Sequence, residues 1–227
     1  MSDEFRNVLA IDTATSQLHL AVLYEGDRSV KSSEVVPKTH GQILLKKIED
    51  LLCSAGLSNR DLQALVVSLG PGSFTGLRIG LATAKGIAVA RDIPIVGVTL
   101  FEVAVLCLKS FASRAHVLIP SRKGEFYVGT LRDGVIGESD VRVVEESELA
   151  VRVGGDQTYT IGYDPHLLVE GASGLMAQAL DYDAGHVLQV GLDKLNRGES
   201  SDLAALEPVY MQKAIAEIRF DQRPRSK

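Results

Sequence analysis

A glycine-rich segment is the part of the sequence that most resembles a known functional motif, the phosphate-binding loop. It runs Gly-Pro-Gly-Ser-Phe-Thr-Gly-Leu-Arg-Ile-Gly from residue 70 to residue 80. Because it follows a predicted strand and opens a predicted helix, its backbone N–H groups lie where such groups bind phosphate. It matches neither the G-x-x-x-x-G-K-[ST] loop nor the G-x-G-x-x-G fingerprint, and it lacks the lysine that reaches phosphate. Two interpretations stay open: a phosphate loop, or a tight corner with Ser73 as the helix N-cap.

A second candidate for phosphate chemistry follows the first predicted strand. Asp12 and Thr13 stand where ATPases of the sugar-kinase type place a turn that handles magnesium and phosphate. An aspartate at the end of a strand is more often a turn former. The hypothesis of an ATP-binding kinase or ATPase therefore rests on four residues, Asp12, Thr13, Gly72 and Ser73.

Other catalytic chemistry finds little support in the sequence. The five histidines stand at positions 19, 40, 116, 166 and 186, and none is three or four residues from another, which excludes a two-histidine metal site on one helix. No G-x-S-x-G elbow occurs, and Ser73 has no identifiable base, so peptidase activity is unsupported. Cys53 and Cys107 are too far apart for a C-x-x-C site, and we predict buried, reduced thiols. The sequence predicts no catalytic residue, metal or cofactor.

Composition limits the class of protein. The chain has 227 residues, of which 45% are hydrophobic and 23% charged, as in ordinary globular proteins. Its net charge of −5 argues against a stand-alone nucleic-acid binder. No apolar run approaches the length of ~18 residues that spans a membrane, and the acidic first residues do not resemble a signal peptide. We expect a cytoplasmic protein without a membrane segment.

The hydrophobic pattern predicts a duplicated α/β unit. Strands over 8–11, 18–24 and 30–36 precede a helix over 42–55, a strand over 64–69, a helix over 74–90, a strand over 93–98 and a helix over 100–111. The second half also opens with strands, over 116–119 and 126–131, and a hairpin turn at Asp133-Gly134 leads to strands near Val135 and Val141. Helical character returns after Glu145. We therefore predict two lobes, 1–113 and a smaller, degenerate 114–227.

Two of the predicted helices carry unusually regular surfaces. In the helix over 74–90, small residues recur at every fourth position and form a smooth ridge that a second helix can approach closely: Gly76, Gly80, Ala84 and Ala88. The helix over 42–55 carries an apolar stripe. The two helices are either buried within the chain or together form a surface for another subunit.

Three segments together resemble the TsaB (YeaZ) family. They are the segment 70–80, the opening Leu-Ala-Ile-Asp-Thr over 9–13, and Ile-Val-Gly-Val over 95–98. The resemblance extends more weakly to Gly-Glu-Phe-Tyr over 124–127 and Pro-Val-Tyr over 208–210. It implies a duplicated actin-like ATPase fold (ASKHA, ribonuclease H-like). It also implies an accessory subunit for threonylcarbamoyl transfer to the adenosine next to the anticodon of tRNA.

The resemblance further implies partners. Family members form a heterodimer with the TsaD-type transferase through their first two helices and help to recruit a TsaE-type ATPase. A homodimer through the same helices is expected when the transferase is absent, and contact with tRNA is expected to be indirect. The partner-binding residues so predicted are His40, Leu44, Leu45, Ile48, Phe74, Leu77, Arg78, Leu81, Ala84 and Ala88.

Two departures from related sequences argue against catalysis by this chain. The TsaD-type transferase binds metal through H-x-x-x-H, whereas the residue four positions after His40 is Leu44. Where relatives commonly carry Asp-Ala-Arg, this chain has Pro120-Ser121-Arg122, so an acidic side chain is missing. We therefore predict a non-catalytic subunit, with the ATP-binding enzyme as the alternative.

Overall fold

The computed structural model describes residues 5–35, 40–110, 112–168 and 175–209. The elements of the first half are β1 (Val8–Asp12), β2 (Gln17–Tyr24), β3 (Arg28–Val35), α1 (His40–Ser54), β4 (Ala64–Gly70), α2 (Phe74–Arg91), β5 (Ile95–Thr99) and α3 (Leu100–Leu108). Those of the second half are β6 (Arg114–Pro120), β7 (Glu125–Arg132), β8 (Val141–Glu145), α4 (Leu149–Val153), β9 (Thr158–Thr160), β10 (Ala177–Ala179) and α5 (Ala184–Asn196).

The strands form two five-stranded sheets with one topology. The first sheet has the order β3-β2-β1-β4-β5, and the second has β8-β7-β6-β9-β10. In each sheet the central strand pairs antiparallel with the strand that follows it and parallel with a later one. The predicted duplicated, two-lobed α/β fold of the actin-like (ASKHA, ribonuclease H-like) type is therefore confirmed.

Helices cover both faces of the first sheet. α1 and α2 bury their apolar sides against one face. α3 and α5 share a hydrophobic cluster with the other face and with the second sheet. α4 covers the remaining face of the second sheet. The two lobes therefore meet through a continuous apolar core, and the outer sides of α1 and α2 face away from it.

The division of the chain between the lobes is less simple than the predicted halves. The strands of the two sheets do separate between Thr99 and Arg114, close to the predicted boundary. After the second sheet the chain returns to the first lobe, because α5 packs across the first sheet. Gly191 of α5 allows this helix to approach Val66 closely. Beyond α5, Leu206 joins the core under α2.

Several local predictions need correction. The turn at Asp133-Gly134 forms with positive φ at both residues, but the strand expected near Val135 is reduced to a single bridge to Arg132. α3 ends at Leu108, and the expected end of this helix at residue 111 lies outside the described residues. Cys53 is exposed rather than buried, because it lies on the outer side of α1. In the described part of the chain, no helix has both the length and the apolar character to cross a membrane.

Candidate functional site

The turn after β1 and the loop before α2 form one packed unit. The N–H of Ser73 donates to the carbonyl oxygen of Ala14 at 2.7 Å. The hydroxyl of Thr13 donates to the carbonyl oxygen of Gly76 at 2.8 Å. At the start of α2, the hydroxyl oxygen of Ser73 accepts from the N–H of Gly76 at 3.2 Å, which confirms the predicted N-cap. We name residues 13–16 the first turn and residues 70–73 the signature loop.

The glycines of this segment permit its close approach to the first turn. A Cβ atom at Gly72 would overlap the carbonyl oxygen of Ala14, and one at Gly76 would overlap the carbonyl oxygen of Thr13. A Cβ atom at Gly80 would overlap the Thr13 hydroxyl. The glycine spacing is thus accounted for by the packing of the signature loop and α2 on the first turn, as the interpretation of a tight corner requires.

Asp12 is enclosed by the protein. It has no exposed surface. One carboxylate oxygen accepts from the N–H of Ala14 and the other from the hydroxyl of Tyr182, each at 2.9 Å. These bonds compensate for the burial of a charge. Of the four residues predicted to bind nucleotide, Asp12 and Thr13 therefore lie in the interior, whereas Gly72 and Ser73 border an open cleft.

A buried polar cluster surrounds Asp12. The ring of His19 lies 4.8 Å from that of Tyr182, and its Nδ1 atom is 2.8 Å from the hydroxyl oxygen of Ser33. Burial lowers the pKa of His19, although the carboxylate of Asp12 opposes this effect. Burial and then Asp12 raise the pKa of Tyr182 well above its usual value. At neutral pH we therefore expect a neutral imidazole and a neutral phenol around the carboxylate.

The cleft between the lobes contains two adjoining cavities. The larger, of about 790 Å³, is bordered by the first turn, the signature loop, the start of α2, the end of β6 at Pro120, and Ser121 directly after it. The smaller, of about 450 Å³, shares Thr15, Ser16 and Gly162 with it and continues to Asp164 and Asp181. We name the two together the inter-lobe groove.

The inter-lobe groove is poorly suited to a phosphate group. Among the described residues that line it there is no lysine or arginine, and its only charged side chains are the carboxylates of Asp164 and Asp181. Anionic ligands are favoured where basic side chains neutralise them, and acidic ones repel them. Elsewhere too, the described residues bring no three metal-ligating side chains together.

The predicted partner-binding residues divide between the core and the surface. Six of these side chains are buried in the chain's own core: Leu44, Ile48, Leu77, Leu81, Ala84 and Ala88. Leu45 is 55% exposed and Phe74 is 42% exposed. Arg78 is also at the surface, with its guanidinium 3.9 Å from the centre of the Phe74 ring. His40 begins α1, and its side chain lies outside the described part of the structure.

The ridge of small residues on α2 therefore faces inwards. Its small side chains allow α2 to lie close to the chain's own sheet. The spacing of small residues that suggested a partner helix therefore serves an intramolecular contact. The opposite side of α2 remains exposed, and its small and apolar residues lie beside two basic ones, Arg78 and the half-buried Lys85. We name this surface, with Leu45 from the neighbouring α1, the exposed helical face; its residues are Leu45, Phe74, Arg78, Ala82, Gly86 and Val89.

Comparisons with known proteins point to one family. A family model described as TsaD, tRNA N6-adenosine threonylcarbamoyltransferase, matches residues 30–152. The tRNA threonylcarbamoyladenosine biosynthesis protein TsaB of Escherichia coli is 30% identical over 92% of this chain and 96% of its own length. The protein of that name in Bacillus subtilis is 27% identical over 94% and 97%. The solved structure of YeaZ from Pseudomonas aeruginosa is 28% identical and has a TM-score of 0.72, covering 90% of this chain and 99% of that one.

Proposed function

Because the chain belongs to the TsaB (YeaZ) family, we propose that it is a non-catalytic subunit required for threonylcarbamoyl transfer to tRNA. The modified base is the adenosine next to the anticodon, and the reaction takes place in the cytoplasm. The names of the relatives support a role in threonylcarbamoyladenosine synthesis, and their similarity extends over nearly the whole chain.

The state of Asp12 is the observation that best supports a non-catalytic role. In an ATPase of this fold, the carboxylate at this place needs access to magnesium and phosphate. Here both of its oxygens are occupied by internal donors, and Tyr182 covers it. Since the groove beside it offers no basic side chain among its described residues, phosphate would have to bind without charge neutralisation.

We propose further that the chain binds and activates a TsaD-type transferase through the exposed helical face. This surface combines the features of an interface core: Leu45, Phe74 and Val89 supply apolar area, and Ala82 and Gly86 allow a second helix to come close. The same face would hold a homodimer in the absence of the transferase. The heterodimer would in turn help to recruit a TsaE-type ATPase. With a net charge of −5, this chain would leave most contacts with tRNA phosphates to its partner.

The test uses a charge placed on this face. Val89 is 68% exposed, so Val89→Glu should leave folding intact while placing a carboxylate in the interface. Val151 on α4 is 86% exposed and far from the two helices, so Val151→Glu is the matched control. Size-exclusion chromatography with light scattering is run on each variant mixed with the H-x-x-x-H paralogue of the same organism.

We expect the wild-type chain and Val151→Glu to form a one-to-one heterodimer with the paralogue. Val89→Glu and the paralogue should elute as separate species. Replacing an apolar contact by a buried charge weakens binding by about 2 kcal/mol or more, or roughly 30-fold in Kd. An undiminished complex with Val89→Glu would remove the exposed helical face from the proposal. Micromolar binding of magnesium ATP with turnover by this chain alone would instead support the ATPase.

A further inference from the structure

A small cavity lies at the C-terminal end of α1, outside the inter-lobe groove. Its volume is about 310 Å³, and it is lined by Glu49, Leu52, Leu57, Ser58, Asn59 and Arg60. One wall is the end of α1, and the other is the loop that leads into a short 3₁₀ turn, Asn59–Asp61. None of the lining residues belongs to the first turn, the signature loop or the buried polar cluster, so this cavity is a separate candidate site.

Two acceptor groups at this cavity have no donor among the residues that the structure describes. The Oδ1 atom of Asn59 is buried and accepts no hydrogen bond there. The exposed carboxylate of Glu49 likewise forms no hydrogen bond or ion pair within the described ranges, and Lys46 on the same helix pairs instead with Asp50 at 2.8 Å. Because a buried acceptor is unfavourable when it is left unpaired, the site favours a ligand that brings N–H donors.

The surroundings of these acceptors favour a positive charge on an apolar stem. Leu52 is buried and Leu57 is partly buried, so the two provide an apolar wall. The last turn of α1 has no basic residue, and the negative end of a helix dipole stabilises a cation. Lysine and arginine side chains have methylene groups that lie along apolar surface and charged ends that donate hydrogen bonds. The opposing feature is Arg60, whose exposed side chain would repel a cation.

The cavity adjoins the exposed helical face. Glu49 lies one turn after Leu45 on α1, and residues at this spacing share one side of a helix. Arg91, the last residue of α2, donates from Nε to the carbonyl oxygen of Asn59 at 3.1 Å and from Nη2 to that of Arg60 at 2.7 Å. Both helices of the exposed helical face therefore lead to the loop that forms the cavity.

We propose that the cavity receives a lysine or arginine side chain of the protein that binds the exposed helical face. The methylene groups of this side chain lie against Leu52 and Leu57, and its charged end donates to Oδ1 of Asn59 and to the carboxylate of Glu49. The inference rests on the proposed function, because it takes the TsaD-type transferase as that protein. Such a contact beside an apolar surface fixes the register of the two proteins and disfavours partners that lack a matching cation.

The Kd of the heterodimer tests this contact. Isothermal titration calorimetry with the H-x-x-x-H paralogue is run on the wild-type chain, Glu49→Gln and Arg60→Gln, with Asp27→Asn as the control. Asp27 is exposed on the turn between β2 and β3, and its replacement changes the net charge as much as that of Glu49. We expect Glu49→Gln to raise Kd roughly fivefold, because a charge-assisted hydrogen bond becomes a neutral one. Arg60→Gln should lower Kd by up to about fivefold, because it removes a repelling charge, and Asp27→Asn should leave Kd unchanged.

Asn59→Leu separates a role in binding from a role in folding. Since Oδ1 of Asn59 has no donor in the described part of the chain, the replacement should leave the Tm of the free chain unchanged or raise it. The Kd of the heterodimer should nevertheless rise about tenfold, because the hydrogen bond to the partner's cation is lost. A lower Tm together with an unchanged Kd would overturn the proposal and assign this oxygen to the stability of the fold.

The calorimetric results distinguish this inference from the proposed function. A heterodimer whose Kd is the same with Glu49→Gln as with Asp27→Asn would overturn the inference alone. So would a lower Kd with Glu49→Gln and a higher one with Arg60→Gln, which would indicate an anionic group of the partner in the cavity. If the wild-type chain and the paralogue formed no complex, the proposed function would be refuted, and the inference with it.

Discussion

Replacing Gly76 by alanine tests the structural explanation of the glycine-rich segment. The added Cβ atom overlaps the carbonyl oxygen of Thr13, which belongs to the backbone and cannot swing aside. Relief requires α2 to move away from the first turn, and that movement strains the Thr13–Gly76 hydrogen bond. Overpacking of this kind costs about 1–3 kcal/mol, and disturbing the buried bond adds about 1 kcal/mol. The greater helix propensity of alanine returns up to about 1 kcal/mol, which leaves a net loss of about 1–3 kcal/mol in the free energy of unfolding.

Gly86 in the same helix provides the matched control. It is exposed, and a Cβ atom there meets nothing within 4 Å. Gly86→Ala should therefore gain about 0.5–1 kcal/mol. In a domain of this size the two variants should differ in Tm by roughly 4–12 °C, measured by thermal unfolding and checked by urea denaturation. A Gly76→Ala variant as stable as Gly86→Ala would refute the explanation by packing. The glycine-rich segment would then be interpreted as a ligand-binding loop.

Three further predictions concern the buried polar cluster and the thiols. Tyr182→Phe removes the hydroxyl that donates to the buried carboxylate of Asp12, and urea denaturation should show a loss of about 1.5–3 kcal/mol. The pKa of His19 is lowered in the folded state, so the unfolded state takes up a proton first as the pH falls through about 6.5. Stability should therefore be fully present above that pH and decline below it, by up to about 1.4 kcal/mol per pH unit for this group; a flat stability curve between pH 7 and 5 would contradict this. Burial raises the pKa of Cys107 to about 11, whereas Cys53 is exposed, so iodoacetamide at pH 8 should label Cys53 first in the native protein.

Much of the fold could be predicted because its periodicities are local. Alternating and continuous apolar runs predicted the central strands, and small residues at every fourth position indicated α2. The cap at Ser73 followed from residue type and position alone. The strands β9 and β10 were missed because each has only three residues, too few for a pattern to emerge.

The candidate site was harder to predict because it depends on long-range contacts. The hydroxyl that covers Asp12 comes from Tyr182, 170 residues away, in a part of the chain with a weak pattern. The partner surface was only partly identified, for a physical reason. A ridge such as Ala84 and Ala88 suits any close helix contact, and the sequence does not indicate whether that contact is with the chain's own sheet or with a second protein.

The yield of threonylcarbamoyladenosine tests the central claim most directly. The reaction is reconstituted from the TsaD-type transferase, the TsaE-type ATPase, threonylcarbamoyl donor and unmodified tRNA, with and without this chain, and nucleosides are quantified by mass spectrometry. The account predicts that tRNA modification requires the wild-type chain. Modification should persist with an Asp12→Asn variant that remains folded, and it should be lost with Val89→Glu. Full modification without the chain, or loss of modification with folded Asp12→Asn chain that still forms the heterodimer, would contradict it.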